Sequence, residues 1–416
     1  MKQQVVIIGG GFAGVKLAQK LDSDLFDVLL IDRQNHHQFQ PLFYQVATAV
    51  IEPSSISFPL RNIFKKKKNI RIRLADVLEI VSEQKTVVTS VGNFSYDLLI
   101  LATGCRTNFF GNERIEKEAF ELKTTNNALS IRNHVLQMFE DIISMDEKER
   151  EPYYSIVIVG AGPTGVELAG AFSEIKNYIL PKDYPDFDFS KLQVTLVEGS
   201  EFPLNNMSLK AKTKALSYLQ KMGVNVLTKT IVKDFSDNTI TLSDGQEIKT
   251  KTLIWAAGVI GNKIEGLKDA KYTPANRIEV DRQNQVLGYE SIYALGDLAL
   301  MKTEKYEKGH PQVANVAINQ AGLLAKNLKR KSQGKTLLSY EYKDMGSMAT
   351  VGRNKAVVDL PRFKFTGYFA WLVWMFLHLM LILTVRNKLI IFINWVWAYF
   401  TKNTSLRLII KPNKKY

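Results

Sequence analysis

Val5-Val6-Ile7-Ile8-Gly9-Gly10-Gly11-Phe12-Ala13-Gly14 decides the fold, and Ile156-Val157-Ile158-Val159-Gly160-Ala161-Gly162-Pro163-Thr164-Gly165 repeats it. Each stretch is a buried strand, a glycine turn and the start of a helix. The first glycine (Gly9, Gly160) permits a tight turn. The second (Gly11, Gly162) lets backbone approach a pyrophosphate, and the third (Gly14, Gly165) brings helix close to strand. Phosphates then meet the free N–H groups and the positive dipole end of that helix. One such motif is weak evidence. Two in one chain, each with a strand before and an acidic strand end after, imply two dinucleotides held together.

The acidic strand ends bear on which dinucleotides these are. Val28-Leu29-Leu30-Ile31 runs into Asp32, 18 residues after Gly14 and close to the usual spacing of about 20. Val194-Thr195-Leu196-Val197 runs into Glu198, 33 residues after Gly165, so an insertion (Asn177 to Ser190, with Pro181 and Pro185) separates helix from strand. A carboxylate there accepts hydrogen bonds from ribose hydroxyls and repels the extra phosphate of NADP. A solvated strand end is the plainer reading of Glu198. Gly199-Ser200 after it leaves the position open, and the expectation is NADH over NADPH.

At 416 residues the chain has room for two or three cores. Its one cysteine, Cys105, forbids an intramolecular disulfide and fits a reducing compartment. The five histidines have no spacing suited to a metal, and none is expected. A strand begins by residue 5, which predicts no signal peptide. The net charge of +14 is unevenly placed. From Arg353 onward there are 11 Lys and Arg against one acidic residue (Asp359), and four of the five Trp (371, 374, 395, 397) fall there too. A basic, Trp-rich, apolar tail suits a membrane surface. Nucleic acid would want basic residues interleaved with exposed aromatics, and none is expected as a partner. Lys65–Lys68 is a solvated loop or, alternatively, a contact for lipid headgroups.

Further strands are predicted at 71–80, 86–90 and 98–103, the last ending in Ala102-Thr103-Gly104. Apolar periodicity predicts a helix over 126–148. After the second glycine motif come helices at 166–176 and 208–222 and strands near 224–228, 239–242 and 252–256. Trp255-Ala256-Ala257-Gly258 is a counterpart of Ala102-Thr103-Gly104. The chain returns through Ser291–Asp297, then through a helix at about 311–330. The fold class is α/β: two Rossmann-like dinucleotide-binding domains, the second (121–274) inserted in the first (1–120 and 275–340), plus a C-terminal membrane-associated helical tail (341–416).

The chain resembles the two-dinucleotide-binding-domain flavoproteins over residues 1–340 and, over its whole length, the type II NADH:quinone oxidoreductases, which are non-pumping respiratory enzymes. The specific stretches are His37-Gln38-Phe39-Gln40-Pro41-Leu42-Phe43-Tyr44-Gln45-Val46-Ala47-Thr48, Gly162-Pro163-Thr164-Gly165-Val166-Glu167-Leu168-Ala169-Gly170, Ala294-Leu295-Gly296-Asp297, and the tail. The resemblance implies FAD in the first domain, NADH as substrate in the second, and a respiratory quinone, ubiquinone or menaquinone, at a site shared with the tail. It implies that Asp297 bonds the FAD ribitol, where a helix N-cap is the plainer reading. Thr103, Gly104 and Thr48 would lie near the same cofactor. Cys105 would be a bystander thiol. Disulfide reductases and sulfide-oxidising relatives need at least two cysteines and are excluded.

Glu167 and Gln320 are the catalytic candidates. Glu167 sits on the first turn of the second glycine helix, where the dipole alone stabilises a carboxylate by about 0.3–1 kcal/mol. The resemblance adds a role in nicotinamide positioning or proton handling. The family's Ala-Gln-x-Ala-x-Gln-Gln stretch is here Ala314-Asn315-Val316-Ala317-Ile318-Asn319-Gln320. Asn315 and Asn319 keep the amide but lose a methylene of reach. Gln320 is the stronger quinone candidate, with Gln312 secondary.

Tyr368–Val385 holds 18 residues without charge, marginal for the roughly 30 Å hydrocarbon core at 1.5 Å per residue. Crossing there would put Arg386, Lys388 and the basic terminus outside, against the positive-inside tendency. Helices lying in the interface satisfy both observations. His378, mid-run, is either a hydrogen-bonded histidine or a donor to a quinone carbonyl. The resulting expectation is a peripheral flavoprotein on the cytoplasmic face of the cell membrane, a homodimer by resemblance, passing hydride from NADH to FAD and two electrons on to quinone. Two rivals share residues 1–340: a soluble NADH-dependent reductase of a small iron protein, and a non-catalytic NADH-responsive flavoprotein.

Overall fold

The computed structural model describes residues 2–185, 187–404 and 406–410. The last six residues of the basic tail, 411–416, therefore lie outside the described residues. The chain forms two compact units: Met1–Gln38, Ser57–Arg106 and Val259–Lys343 make one, and Phe39–Ile56, Thr107–Gly258 and Asp344–Tyr416 the other.

The first unit is built on a five-stranded parallel sheet with the order Ile292–Ala294, Leu98–Leu101, Gln3–Ile8, Phe26–Asp32, Ile70–Leu74. Its central strands are apolar on both sides, as a covered parallel sheet requires. Alternate residues feed separate cores. Val5, Ile7, Val28 and Leu30 pack with Leu17, Ala321 and Leu324 of the Phe12–Lys20 and Ala314–Ser332 helices. Val6, Ile8, Leu29 and Ile31 pack on the opposite face with Ile80, Val87 and Tyr96. The 71–80 run expected as one strand is two, Ile70–Leu74 and Val77–Val81, and the second belongs to an antiparallel sheet with Thr86–Thr89 and Gly92–Ser95.

The second unit repeats the plan, with the order Phe120–Glu121, Thr252–Trp255, Ser155–Val159, Gln193–Val197, Val224–Leu227. It takes in 107–120, placed with the first domain from sequence, because Phe109 and Ile115 are buried with Val157, Val197 and Trp255 and because Phe120 pairs with Ile254. Residues 259–274 go the other way, with Ile264 and Leu267 buried in a core of the first unit. Thr124 caps the Thr125–Ile143 helix by accepting from the Asn127 N–H at 3.1 Å. That helix stops five residues before the expected end, where the apolar positions run out.

The tail is less helical than expected. Ser347–Gly352, Lys355–Asp359 and Lys364–Thr366 form an antiparallel sheet. Ala349, Val351, Ala356 and Val358 are buried, and Asn354 turns the hairpin in the left-handed region at φ 62. The first of these strands packs on the Pro163–Glu174 helix. Gly170 makes that approach possible, since a Cβ there would land on the Val351 carbonyl. Two helices complete the tail, Tyr368–Leu381 and Val385–Thr401. The apolar run is broken because Thr384 caps the second helix, its hydroxyl accepting from the Asn387 N–H at 3.2 Å. No described helix is long and apolar enough to cross a membrane.

Candidate functional site

Both glycine turns have the geometry their spacing predicts. Gly9 and Gly160 lie at φ 108 and φ 96, values that favour glycine, and a Cβ at either would collide with backbone of the neighbouring strand end. A Cβ at Gly14 or Gly165 would strike the carbonyl of Gly9 or Gly160. Gly11 and Gly162, by contrast, face open space. As helix N-caps they offer no side-chain acceptor, so the first-turn N–H groups of both helices stay available to an anion. Each of these turns fits the pyrophosphate of a dinucleotide, as FAD and NADH both carry.

The two strand-end acids close these turns. Asp32 accepts from the N–H groups of Gly10 at 2.5 Å and Gln34 at 2.6 Å. Burial nevertheless pushes its carboxyl above the usual range, those two N–H groups opposing the shift. In the second fold the Glu198 carboxylate accepts from the N–H groups of Ala161 at 2.6 Å and Ser200 at 2.8 Å. It is more than a solvated strand end. A cleft of about 960 Å³ opens beside it, lined by Gly160, Glu198, Gly199, Phe110, Trp255 and Ala257. Gly258, at φ 143, adjoins it and accepts from the Asn108 N–H at 3.0 Å through its carbonyl.

In the first unit the Gly296–Leu298 turn gathers several predicted residues. Gln320, fully buried, accepts from the Gly296 N–H at 2.8 Å, and its own Nε2 has no hydrogen-bond partner among the described residues. The Gln312 amide donates to the Asp297 carbonyl at 3.0 Å. Asp297 is the second residue of this turn, whose N-cap is Leu295, so the N-cap reading does not apply to it; its carboxylate accepts from the Cys105 thiol at 3.0 Å. Thr103 and Asn262 bond each other's backbone, the Thr103 hydroxyl to the Asn262 carbonyl at 2.8 Å and the Asn262 amide to the Thr103 carbonyl at 2.9 Å. Gly104, at φ 66, is open on its Cβ side. Asn315 and Asn319 bond each other one helical turn apart, at 2.8 Å.

The second unit holds the other candidates around a cavity of about 120 Å³. Glu167 is 8% exposed and lines it with Tyr44, Gln45, Thr350, Trp374 and Trp395. Its carboxyl is pushed up to about 8, chiefly by burial, against a long 3.4 Å bond from the Thr350 N–H. The Trp374 indole N–H also favours the charged form, though it has no partner within hydrogen-bond geometry among the described residues. The helix starts at Pro163, so Glu167 is its fifth residue and lies past the first turn where the dipole acts, contrary to the expectation from sequence; desolvation sets its carboxyl. Thr48 is buried and donates to the Tyr44 carbonyl at 2.8 Å. His378 stacks on Trp374 with centroids 4.0 Å apart and hydrogen-bonds the Trp374 carbonyl through Nδ1 at 2.8 Å. Burial pushes its pKa down to about 4, so the ring is neutral. The satisfied-histidine reading describes it, and it is not among the residues lining the cavity.

Sequence reasoning misses most of this lining. Tyr44 and Gln45 lie inside the specific His37–Thr48 stretch, with no local pattern to give them a role. Glu174 does carry a signal, since it stands seven residues after Glu167 and so on the same helical face.

Paired glycine turns on two parallel-sheet folds define a pyridine-nucleotide flavoprotein, and the family model described as pyridine nucleotide-disulphide oxidoreductase matches residues 3–321. A second model, the NDH2 C-terminal domain, matches residues 345–402. The chain belongs to the type II NADH:quinone oxidoreductase family. It is 32% identical to the type II NADH:quinone oxidoreductase Ndh of Mycobacterium tuberculosis, over 96% of this chain and 89% of that protein. It is 34% identical to NdhA of the same organism, over 95% and 86%. Its fold matches the NDH2 of Plasmodium falciparum solved in complex with NADH, with a TM-score of 0.90 at 22% identity, over 99% of this chain and all of that one.

Proposed function

We propose that this chain oxidises NADH and reduces a quinone, using FAD and pumping no protons. The observation that carries the reading is the pair of uncapped glycine turns in one chain with a tail that closes an acid-lined cavity. Bound FAD would supply the redox chemistry that links a hydride donor to a two-electron acceptor, while the protein supplies positioning and electrostatics. Gly9, Gly11, Gly14, Asp32, Gly104 and Asp297 are the residues to hold FAD. Gly160, Gly162, Gly165, Glu198 and Gly258 are those to hold NADH, with Glu198 selecting against a 2′-phosphate. Glu167, neutral or charged near pH 7–8, is suited to proton handling at the quinone. Gln320 and Gln312 support the Asp297 turn rather than reach outward, so their part is to position Asp297.

A lipid surface is the proposed partner of the tail. Phe369, Phe376, Leu389, Phe392, Trp397 and Phe400 are exposed along its two helices, with Arg386 and Lys388 at their junction. The cytoplasmic face and a homodimer complete the reading on family grounds.

The deciding assay is NADH oxidation by detergent-purified yellow protein, with and without a short-chain quinone, alongside NADPH. Fast quinone-dependent turnover with NADH is expected. Flavin bleaching without quinone turnover would move the search to another acceptor.

A further inference from the structure

Reducing a quinone to a quinol consumes two electrons and two protons. The hydride of NADH brings both electrons and one proton, so each turnover draws one further proton from solvent. Glu167 is nearly sealed from water, which raises the question of how a proton reaches it. We propose that Glu174 is the outer station of a two-carboxylate path that resupplies Glu167; the inference rests on the function proposed above.

Glu167 and Glu174 are seven residues apart on one helix, two turns on the same face, with a rise of roughly 10 Å. Both line the same cavity. That separation rules out direct transfer, but the cavity of about 120 Å³ between them, with the Tyr44 and Gln45 side chains on its wall, has room for the one or two waters a relay needs. Exposure grades in the right direction, from buried Glu167 to half-buried Glu174.

The surroundings of Glu174 suit a group that gains and loses a proton. The Arg353 backbone N–H donates to it at 2.5 Å. The Arg353 guanidinium turns away to the Ala398 carbonyl at 2.8 Å and to the face of Tyr399 at 5.6 Å. Glu174 forms no salt bridge among the described residues. The titratable and charged groups lining the cavity are Tyr44 from the Phe43–Ala47 helix, Tyr178 from the segment after Glu174, Arg353 from the hairpin, and Tyr399 and Lys402 from the last helix and its end. Lys355 acts on Glu174 from the hairpin by charge. Burial raises the Glu174 carboxyl above its usual range, and the Arg353 N–H and the two cations pull it back.

The test uses the flavin-loaded protein. In Glu174→Gln, anaerobic flavin bleaching by NADH is expected at the wild-type rate. Quinone-driven reoxidation is expected to slow at least tenfold, with a larger solvent deuterium effect and a steeper loss toward high pH. Glu174→Asp should restore most of the rate. A second readout needs no turnover: the pH-difference infrared spectrum of Glu167→Gln should retain a titrating carboxyl band that disappears in the double variant Glu167→Gln/Glu174→Gln. A wild-type pH profile and isotope effect in Glu174→Gln, or equal slowing of both half-reactions, would overturn the path. If wild type itself passes no electrons to quinone, the functional reading falls and the path with it. A variant that behaves like an active wild type overturns the path alone.

Discussion

The Trp395 indole N–H donates to Gln45 Oε1 at 2.7 Å, joining residues 350 positions apart in a buried hydrogen bond. The Gln45 amide donates in turn to the Tyr44 hydroxyl at 2.9 Å, and all three side chains line the Glu167 cavity. The last helix is thereby tied to the His37–Thr48 stretch through polar groups that have little access to water.

Trp395→Phe keeps the ring but leaves Gln45 Oε1 buried without its donor, at a cost of about 1–3 kcal/mol. Thermal unfolding should drop by about 3 °C or more, and the KM for quinone should rise while flavin reduction by NADH is unchanged. An unaltered melting temperature and KM would refute the tie.

Glu167 makes stability depend on pH. Its carboxyl titrates at about 8 in the folded protein against an ordinary value of 4.5. The folded state therefore binds this proton more tightly, and the associated stability is fully present below 4.5 and is lost as pH rises to about 8. Glu167→Gln removes that dependence. Relative to wild type, its melting temperature should improve steadily between pH 5 and pH 8, by an amount equivalent to a few kcal/mol at the upper end. Its quinone turnover should lose the limb near pH 8 and fall at least tenfold. Parallel stability curves for the two proteins would show that Glu167 is not held protonated.

Gly170→Ala places a methyl group against the Val351 carbonyl, where rigid backbone leaves nothing to give way. We expect the hairpin to lift from the Pro163–Glu174 helix and quinone turnover to be lost. NADH binding at the Gly160–Gly165 turn, read by fluorescence quenching, should survive. A fully active Gly170→Ala would contradict the close packing.

Glu198→Gln removes the charge that opposes a 2′-phosphate and weakens the bonds from Ala161 and Ser200. The ratio of kcat/KM for NADH over NADPH should fall about tenfold or more, a loss of roughly 1.4 kcal/mol of discrimination. Undiminished preference would assign Glu198 to holding the turn alone.

Local pattern makes the dinucleotide folds legible. Val5–Gly14 and Ile156–Gly165 carry their strand, turn and helix within ten residues, and Asp32 and Glu198 stand at the end of the next strand. The tail is legible in composition but not in form. Gly352-Arg353-Asn354 between two alternating runs is a hairpin signature, masked by the basic and aromatic character of residues 361–402. Thr384, three residues before Asn387, is a cap signal inside a run counted for its apolar length. The pairings of Cys105 with Asp297, Gly170 with Val351 and Gln45 with Trp395 join residues more than 150 positions apart, and no local periodicity encodes them. Glu174 differs from these. Its spacing from Glu167 is plain in the sequence, but only the shared cavity gives that spacing a meaning.

Arg353 belongs to two structures at once: its main chain holds the Glu174 carboxylate, and its guanidinium holds the Ala398 carbonyl in the last helix. Mechanically it is a lever with a short arm. A tilt of the Val385–Thr401 helix that draws Ala398 away strains the hairpin turn and loosens the Arg353 N–H donor on Glu174. The chemistry of the cavity is therefore sensitive to how the last helix is seated, and a change at the outer surface of the tail can be felt at a carboxylate without any movement of the glycine turns.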